Sequence, residues 1–376
     1  MDNILLSGGL SFLITFFSIP VIIQVAKEKK LFDEPDDRKV HKAVIPTLGG
    51  LGIFAGFVIA TLLGAPQIGT SELQYFIAAS IVVFFLGLKD DILILSASKK
   101  FAGQIIAAWI LIKFGGVQLT NMHGFLGVYM IPNVASIALS MFTIIVITNS
   151  FNLIDGVDGL AGTLGVLTTL VFGSYFYYIG QLPYAVMAFS LAGSLISFLI
   201  YNFSPAKIFM GDTGSLLVGL INAILVIKFI NIASLPTTKL SFESAPAIGF
   251  AILMIPLFDT LRVFGLRIFN RRSPFSPDRN HIHHFLLDLG YSHKNTTFIC
   301  LIANIFFIAM AIVFHKIGTT YLLGILFVTG MASISVVYNL RQKKIKKRIN
   351  LDSVHEKELF KTHKILNLVS ETVDVE

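Results

Sequence analysis

Charge is what this sequence has least of. Only 14% of its 376 residues are Asp, Glu, Lys or Arg, whereas 55% are hydrophobic and 34 are Phe. A soluble globule carries about a quarter charged residues, so a water-soluble domain is excluded. Cysteine is nearly absent: Cys300 stands alone in an apolar run, which excludes an intrachain disulfide and leaves the redox compartment open. No internal repeat, low-complexity segment or linker sets off a second domain. That argues against a transporter, whose site would lie near the midplane between related halves. The first apolar run is too long for a signal peptide and lacks a small-residue cleavage site, so it reads as a retained helix.

What fills the chain instead is a series of apolar runs, at about 4–25, 47–64, 73–88, 101–117, 134–148, 160–179, 183–201, 214–232, 245–264, 297–314 and 320–339. Each approaches the length that crosses a bilayer, and none alternates like a barrel strand. Because lipid offers the backbone no partners, the expected fold is an all-α polytopic membrane protein of about eleven helices. With the N-terminus outside, 24 of the 29 Lys and Arg fall in the inner segments or the tail. The positive-inside rule then puts "RQKKIKKR" and the C-terminus in the cytoplasm. The net charge of +7 is topology and gives no reason to expect nucleic acid. Residues 1–340 form the membrane domain, and 341–376 a basic tail whose apolar positions fit a short amphipathic helix at the inner surface.

The outer loops, such as "TNMHGFLGV", are short or bland, whereas six polar clusters occupy the inner side: 37–50, 89–100, 149–163, 202–215, 258–267 and 271–285. Carboxylates at membrane depth are costly and usually functional. Six clusters on one face therefore imply one site. The two short spans, 73–88 and 134–148, would recess their motifs below the headgroups.

In "FFLGLKDDILIL" the adjacent Asp90 and Asp91 call for a cation, a shared proton, or neutralisation by Lys89, Lys99 or Lys100. "NSFNLIDGVDGLAGT" sets Asn149, Asn152, Asp155 and Asp158 at steps of three, and its glycines favour an interrupted helix that turns these groups toward one pocket. Hard oxygen ligands of this kind suit magnesium, or else manganese, and not zinc. Helix capping alone would need one such residue, not four. "FMGDTGS" places Asp212 at a helix start, where an acid beside small residues can hold a metal next to a phosphate; no GK[ST] follows, so it is not a Walker loop. In "DRNHIHHF", His281, His283 and His284 stand with Arg279 and, farther back, Arg267; without Cys or a His–Glu helical pair, zinc gives way to diphosphate binding. Asp259 and Arg262, at i and i+3, either neutralise each other or serve the site. In the first inner loop, His41 and Lys42 precede "IPTLGG", whose glycines allow a close approach to a ligand.

Acids for a divalent metal, basic and imidazole groups for a diphosphate, and a recessed cytoplasmic site are what phosphoryl transfer from a nucleotide to a membrane lipid requires. The stretches "KDD", "NSFNLIDGVDGLAGT", "FMGDTGS" and "DRNHIHH", in this order, resemble the polyprenyl-phosphate N-acetylhexosamine-1-phosphate transferases over about residues 1–340. The resemblance implies magnesium-dependent transfer of a sugar-1-phosphate from a UDP-sugar to undecaprenyl phosphate, releasing UMP, in the bacterial plasma membrane. A homodimer is a further expectation. "SPFSPDRNHIHH" looks like the N-acetylglucosamine-1-phosphate branch, because the phospho-N-acetylmuramoyl-pentapeptide transferases usually carry three adjacent histidines followed by Phe-Glu. That branch is the alternative, ahead of a transporter or a non-catalytic lipid-binding protein. Carried over by motif, Asp90 and Asp91 are the catalytic acids that place or activate the lipid phosphate. Asn152 and Asp212 hold the metal, and Asp155 and Asp158 line the nucleotide side. His281, His283, His284 and Arg267 contact diphosphate and sugar, while His41 and Lys42 match least closely.

Overall fold

The computed structural model describes residues 2–29, 45–64, 72–93, 95–271 and 280–373; His41, Lys42 and Arg279 lie outside them. The helices are α1 (Asp2–Lys29), α2 (Gly49–Gly64), α3 (Leu73–Ile92), α4 (Ala97–Lys113), α5 (Asn133–Ile154), α6 (Leu160–Tyr178), α7 (Leu182–Asn202), α8 (Gly211–Ala233), α9 (Ala245–Ile252), α10 (Met254–Phe269), α11 (Ile282–Asp288), α12 (His293–Val313) and α13 (Thr319–Val373). A helix covers each expected span except 245–264, which two helices share. Among the described residues seven helices are long and apolar enough to cross a membrane, or eight if one bent pair counts as a single span, and α2 is apolar but shorter. The chain is an all-α polytopic membrane protein.

Three sequence expectations need correction, and the last helix runs on past position 340. The run 245–264 is not one helix: α9 and α10 meet at a bend of 89°. Pro256 supplies the cause, since its ring excludes the carbonyl four residues back and it has no N–H to give. Asn304 of α12 covers the break, its amide donating to the Ile252 carbonyl at 2.9 Å and accepting from the Ile255 N–H at 2.9 Å. The two spans expected to be short are longer, because α3 runs 20 residues and α5 runs 22. Their motif residues sit in the last turns of the helices themselves. The outer stretch after α4 is not a plain loop but a hairpin, β1 (Asn121–Phe125) and β2 (Val128–Met130). Its two-residue tip, Leu126 and Gly127, has positive φ at both positions, the turn that matches strand twist. Finally, α13 passes position 340 without a break, so the tail is helical and continuous with the last span.

α8 is the axis of the bundle, buried along nearly its whole length and flanked by α2, α3, α5, α6 and α9. Its N-terminal end is gripped by backbone. Gly49 and Gly50 N–H donate to the carbonyls of Phe209 and Met210 at 2.9 Å each, and Phe209 N–H donates to Pro46 at 2.7 Å. The glycines of "IPTLGG" thus bring α2 against α8: a Cβ on Gly50 would overlap the backbone of Thr213 and Gly214. The same holds on the other side, where a Cβ on Gly87 of α3 would lie 2.5 Å from Thr213 Cα. Two helices therefore pin the turn that carries Asp212.

Candidate active site

The two adjacent acids at the end of α3 face different partners. Successive helix positions project about 100° apart, and the structure uses that separation. Asp91 turns to α8: its Oδ1 accepts from the Asp212 N–H at 2.7 Å, and its Oδ2 accepts from the Thr213 N–H at 3.0 Å and the Thr213 hydroxyl at 2.5 Å. It caps α8 from a neighbouring helix, satisfying donors that a helix start leaves open. Both oxygens of Asp91 are thus engaged with α8. Asp90 faces the other way. Its Oδ1 accepts from the Leu95 N–H at 2.6 Å, and its Oδ2 lies 3.3 Å from the ammonium of Lys100.

Lys100, in the first turn of α4, marks the centre. Its Nζ also meets Asn152 Oδ1 at 3.4 Å and pairs with Asp212 Oδ2. Asn152, in the last turn of α5, donates from Nδ2 to Asp212 Oδ1 at 2.7 Å and to Ser215 Oγ at 2.9 Å. That fixes the amide with its oxygen toward the lysine. Three oxygens from α3, α5 and α8 thus converge on one cationic group. Among the described residues no three His, Cys, Asp or Glu side chains form a metal cage. The donor set is two carboxylates and an amide, which fits a hard divalent cation that keeps several waters and does not fit zinc.

Beside this centre lies a cavity of about 240 Å³, lined by Asp90, Lys100, Asn149, Asn152, Phe264 and Arg267 among others. Arg267 reaches it from the last turn of α10, buried at 4% exposure with its guanidinium 5.8 Å from the Phe264 ring centroid. Asn149 lines the wall with its amide occupied: it donates to Gln104 Oε1 at 2.7 Å and accepts from Gln104 Nε2 at 3.2 Å. It shapes the cavity through that pair.

The interruption expected in "NSFNLIDGVDGLAGT" is present between Ile154 and Leu160. Asp155 lies in it, and burial together with the nearby charges of Asp212, Asp91 and Asp158 pushes its carboxyl well above the usual range. Asp158 is tied into the packing. Its Oδ2 accepts from the Ala206 N–H at 3.3 Å, its own N–H donates to His293 Nδ1 at 3.3 Å, and its carbonyl accepts from Thr297 at 3.1 Å. Asp158 therefore anchors the turn to the connection between α7 and α8 and to α12.

The histidines approach from the far side of this turn. His283 is 1% exposed, and its Nε2 lies where a Cβ on Gly156 would come within 3.0 Å. Burial, reinforced by His284, pushes His283 down to about 3, so it is a neutral ring at physiological pH and brings no charge to a diphosphate. His281 stacks on His283 with centroids 5.6 Å apart and planes 7° from parallel, and His284 leans on His283 at 4.3 Å.

The family described as glycosyl transferase family 4 matches residues 73–230, the stretch holding Asp90, Asn152, Asp155 and Asp212. Decaprenyl-phosphate N-acetylglucosaminephosphotransferase of Mycobacterium leprae is 31% identical, the alignment covering 89% of this chain and 90% of that one. A Bacillus subtilis protein described as a probable undecaprenyl-phosphate N-acetylglucosaminyl 1-phosphate transferase is 31% identical, with 92% and 95% covered. Undecaprenyl-phosphate alpha-N-acetylglucosaminyl 1-phosphate transferase of Escherichia coli K12 is 26% identical, with 75% and 76% covered. The chain belongs to this glycosyl transferase family 4. It is a transferase of the polyprenyl-phosphate N-acetylglucosamine-phosphate branch and a multi-pass protein of the bacterial inner membrane.

In this family 4 transferase the acids stand out in the sequence, and the lysine that organises them does not. Lys100 appeared only as one of three lysines that could neutralise the Asp pair, and Gln104, Ser215 and Thr213 carried no signal. Their roles come from four helices meeting, and helix periodicity within one segment does not encode that.

Proposed function

We propose that this transferase moves N-acetylglucosamine-1-phosphate from a UDP-sugar to undecaprenyl phosphate, releasing UMP and initiating a lipid-linked glycan. The observation that carries the reading is the convergence of Asp90, Asn152 and Asp212 on one cationic group beside a cavity lined by Arg267. The names of the relatives support the N-acetylglucosamine branch over the muramoyl-pentapeptide branch.

The lipid phosphate is a monoester whose second pKa lies near 6, so it is mostly a dianion at neutral pH and needs no base. One of its oxygens attacks the β-phosphorus of the UDP-sugar. The bond from that phosphorus to the bridging oxygen breaks, and the electron pair leaves with UMP. Asp90, held by the Leu95 N–H, aims Lys100. Lys100 and Arg267 present two positive charges to the cavity, where a phosphate can be received. A magnesium ion held by Asp212 and Asn152, with Asp90 at hand, would offset the charge of the diphosphate and of the leaving phosphate. Lys100 would then turn from the carboxylates to the phosphate. Positioning of the two phosphates supplies the rest.

The test is UMP release by purified protein with UDP-N-acetylglucosamine, undecaprenyl phosphate and magnesium. Release that requires all three is the expected result. No UMP with any UDP-sugar would sink the reading, and release only with UDP-N-acetylmuramoyl-pentapeptide would move the protein to the other branch. Sugar-phosphate trapped on the protein without lipid would replace direct attack with a two-step route.

A further inference from the structure

Asp259 is buried in α10 at 3% exposure and is bonded beyond what neutralising Arg262 requires. Its Oδ1 accepts from Arg262 Nη2 at 2.6 Å. Its Oδ2 faces a different segment altogether, accepting from the Ile282 N–H at 3.1 Å and lying 2.9 Å from His281 Nδ1. Arg262 reinforces the same junction, donating to the Asn280 carbonyl and placing its guanidinium 5.6 Å from the Phe285 ring centroid. One acid–base pair of α10 thereby holds residues 280–285, the segment that carries all three histidines.

The chemistry of this junction is directional. A carboxylate that already accepts from a guanidinium and a peptide N–H acts as an acceptor, so the proton between it and His281 sits on Nδ1. That fixes the tautomer and leaves Nε2 as the ring's remaining polar atom. His281 Nε2 is buried and has no hydrogen-bond partner among the described residues. An unsatisfied buried nitrogen on a fixed ring calls for an explanation. A packed leucine pair would fill the volume of Asp259 and Arg262 without desolvating charge. It could not orient an imidazole.

We propose that Asp259 is a positioning residue: through His281 Nδ1 and the first turn of α11 it fixes the histidine motif, presenting His281 Nε2 to the phosphate or sugar oxygens of the nucleotide donor. This rests on the transferase reading for the identity of the donor. An asparagine at 259 would offer one oxygen to three donors, and the junction would loosen.

A double-mutant cycle tests the claim in the full-length protein in detergent or vesicles. Asp259→Asn and His281→Gln are each expected to lower kcat/KM for UDP-N-acetylglucosamine more than tenfold, leaving the KM for undecaprenyl phosphate unchanged. The double variant is expected to be no worse than the weaker single one. Additive losses, or equal weakening toward both substrates, would show that Asp259 does not act through His281. A second arm needs no turnover: carbethoxylation of His281 by diethyl pyrocarbonate, read by peptide mass, is expected to run several-fold faster in Asp259→Asn than in wild type. Unchanged labelling would overturn the proposal. If wild type released no UMP from any UDP-sugar, the transferase reading would fail, and the labelling arm would still decide whether Asp259 holds His281.

Discussion

At the scale of single residues, the adjacent acids Asp90 and Asp91 do two jobs because a helix cannot aim neighbours at the same target. Asp91→Ala would leave the Asp212 and Thr213 N–H groups without their acceptor, at about 1–3 kcal/mol for each that stays buried and unpaired. The expected result is a clear fall in melting temperature accompanied by lost turnover. Asp212→Ala should instead abolish magnesium-dependent UMP release while the protein still extracts and melts close to wild type. Melting curves beside the UMP assay separate the two, and an Asp91→Ala protein of normal stability would remove the capping role. The sequence made the acids legible as a pair, since charge in an apolar run is conspicuous. It could not say which acid met α8, because Asp212 and Thr213 lie more than a hundred residues away. His283 carries a pH prediction. Its folded value is about 3 against an unfolded value near 6.5, so the unfolded chain takes up a proton first as pH falls. Stability from this group is complete above about pH 6.5 and is lost progressively below it. His283→Gln should flatten the pH dependence of the melting temperature between pH 6.5 and 4, and an unchanged slope would contradict a buried neutral ring.

At the scale of elements, apolar length located the long helices but not α11 or the division between α9 and α10, and the errors fell where two elements share a polar group. The run 245–264 looked continuous because hydropathy does not register a missing N–H. Pro256 was the local warning and Asn304 the distant one, an amide placed in the middle of another span. Fully buried, Asn304 satisfies both backbone groups freed at the bend. Asn304→Leu should therefore cost about 2–6 kcal/mol if neither group finds another partner. The bend aims α10, which carries Arg267 into the cavity and Asp259 to the histidine segment, so turnover should fall along with the melting temperature. A Leu variant of wild-type stability and activity would mean that the bend is held by packing alone. The grip on α8 is open to the same kind of test. Gly87→Ala adds one methyl group 2.5 Å from Thr213 Cα, backbone that has no rotamer to yield. The helices must separate there, with loss of the Asp91 cap and of activity, whereas an alanine at Gly324, which has open space, should change neither.

At the scale of the whole molecule, the functional groups gather at one end of the bundle because the helices alternate in direction. The ends of α3, α5, α7 and α10 and the starts of α4, α6 and α8 therefore meet there, beside the start of α2. The opposite end is closed by the hairpin, bonded to the start of α13 through Thr319 and Thr320. Lys and Arg are concentrated on the active-site side, so the positive-inside rule predicts that this side faces the cytoplasm. The lone cysteine makes this testable with little background: Cys300 is 2% exposed, whereas Leu126 at the hairpin tip is 71% exposed and Lys346 on α13 is exposed. In a Cys300→Ala background, Leu126→Cys should react with a membrane-impermeant maleimide in intact spheroplasts. Lys346→Cys should react only after the membrane is opened. The reverse pattern would invert the protein and put its carboxylate site on the outer side of the membrane. Labelling of both in sealed cells would mean that the hairpin and the basic turn of α13 share one side, which a single crossing by α13 from Thr319 to Lys347 forbids.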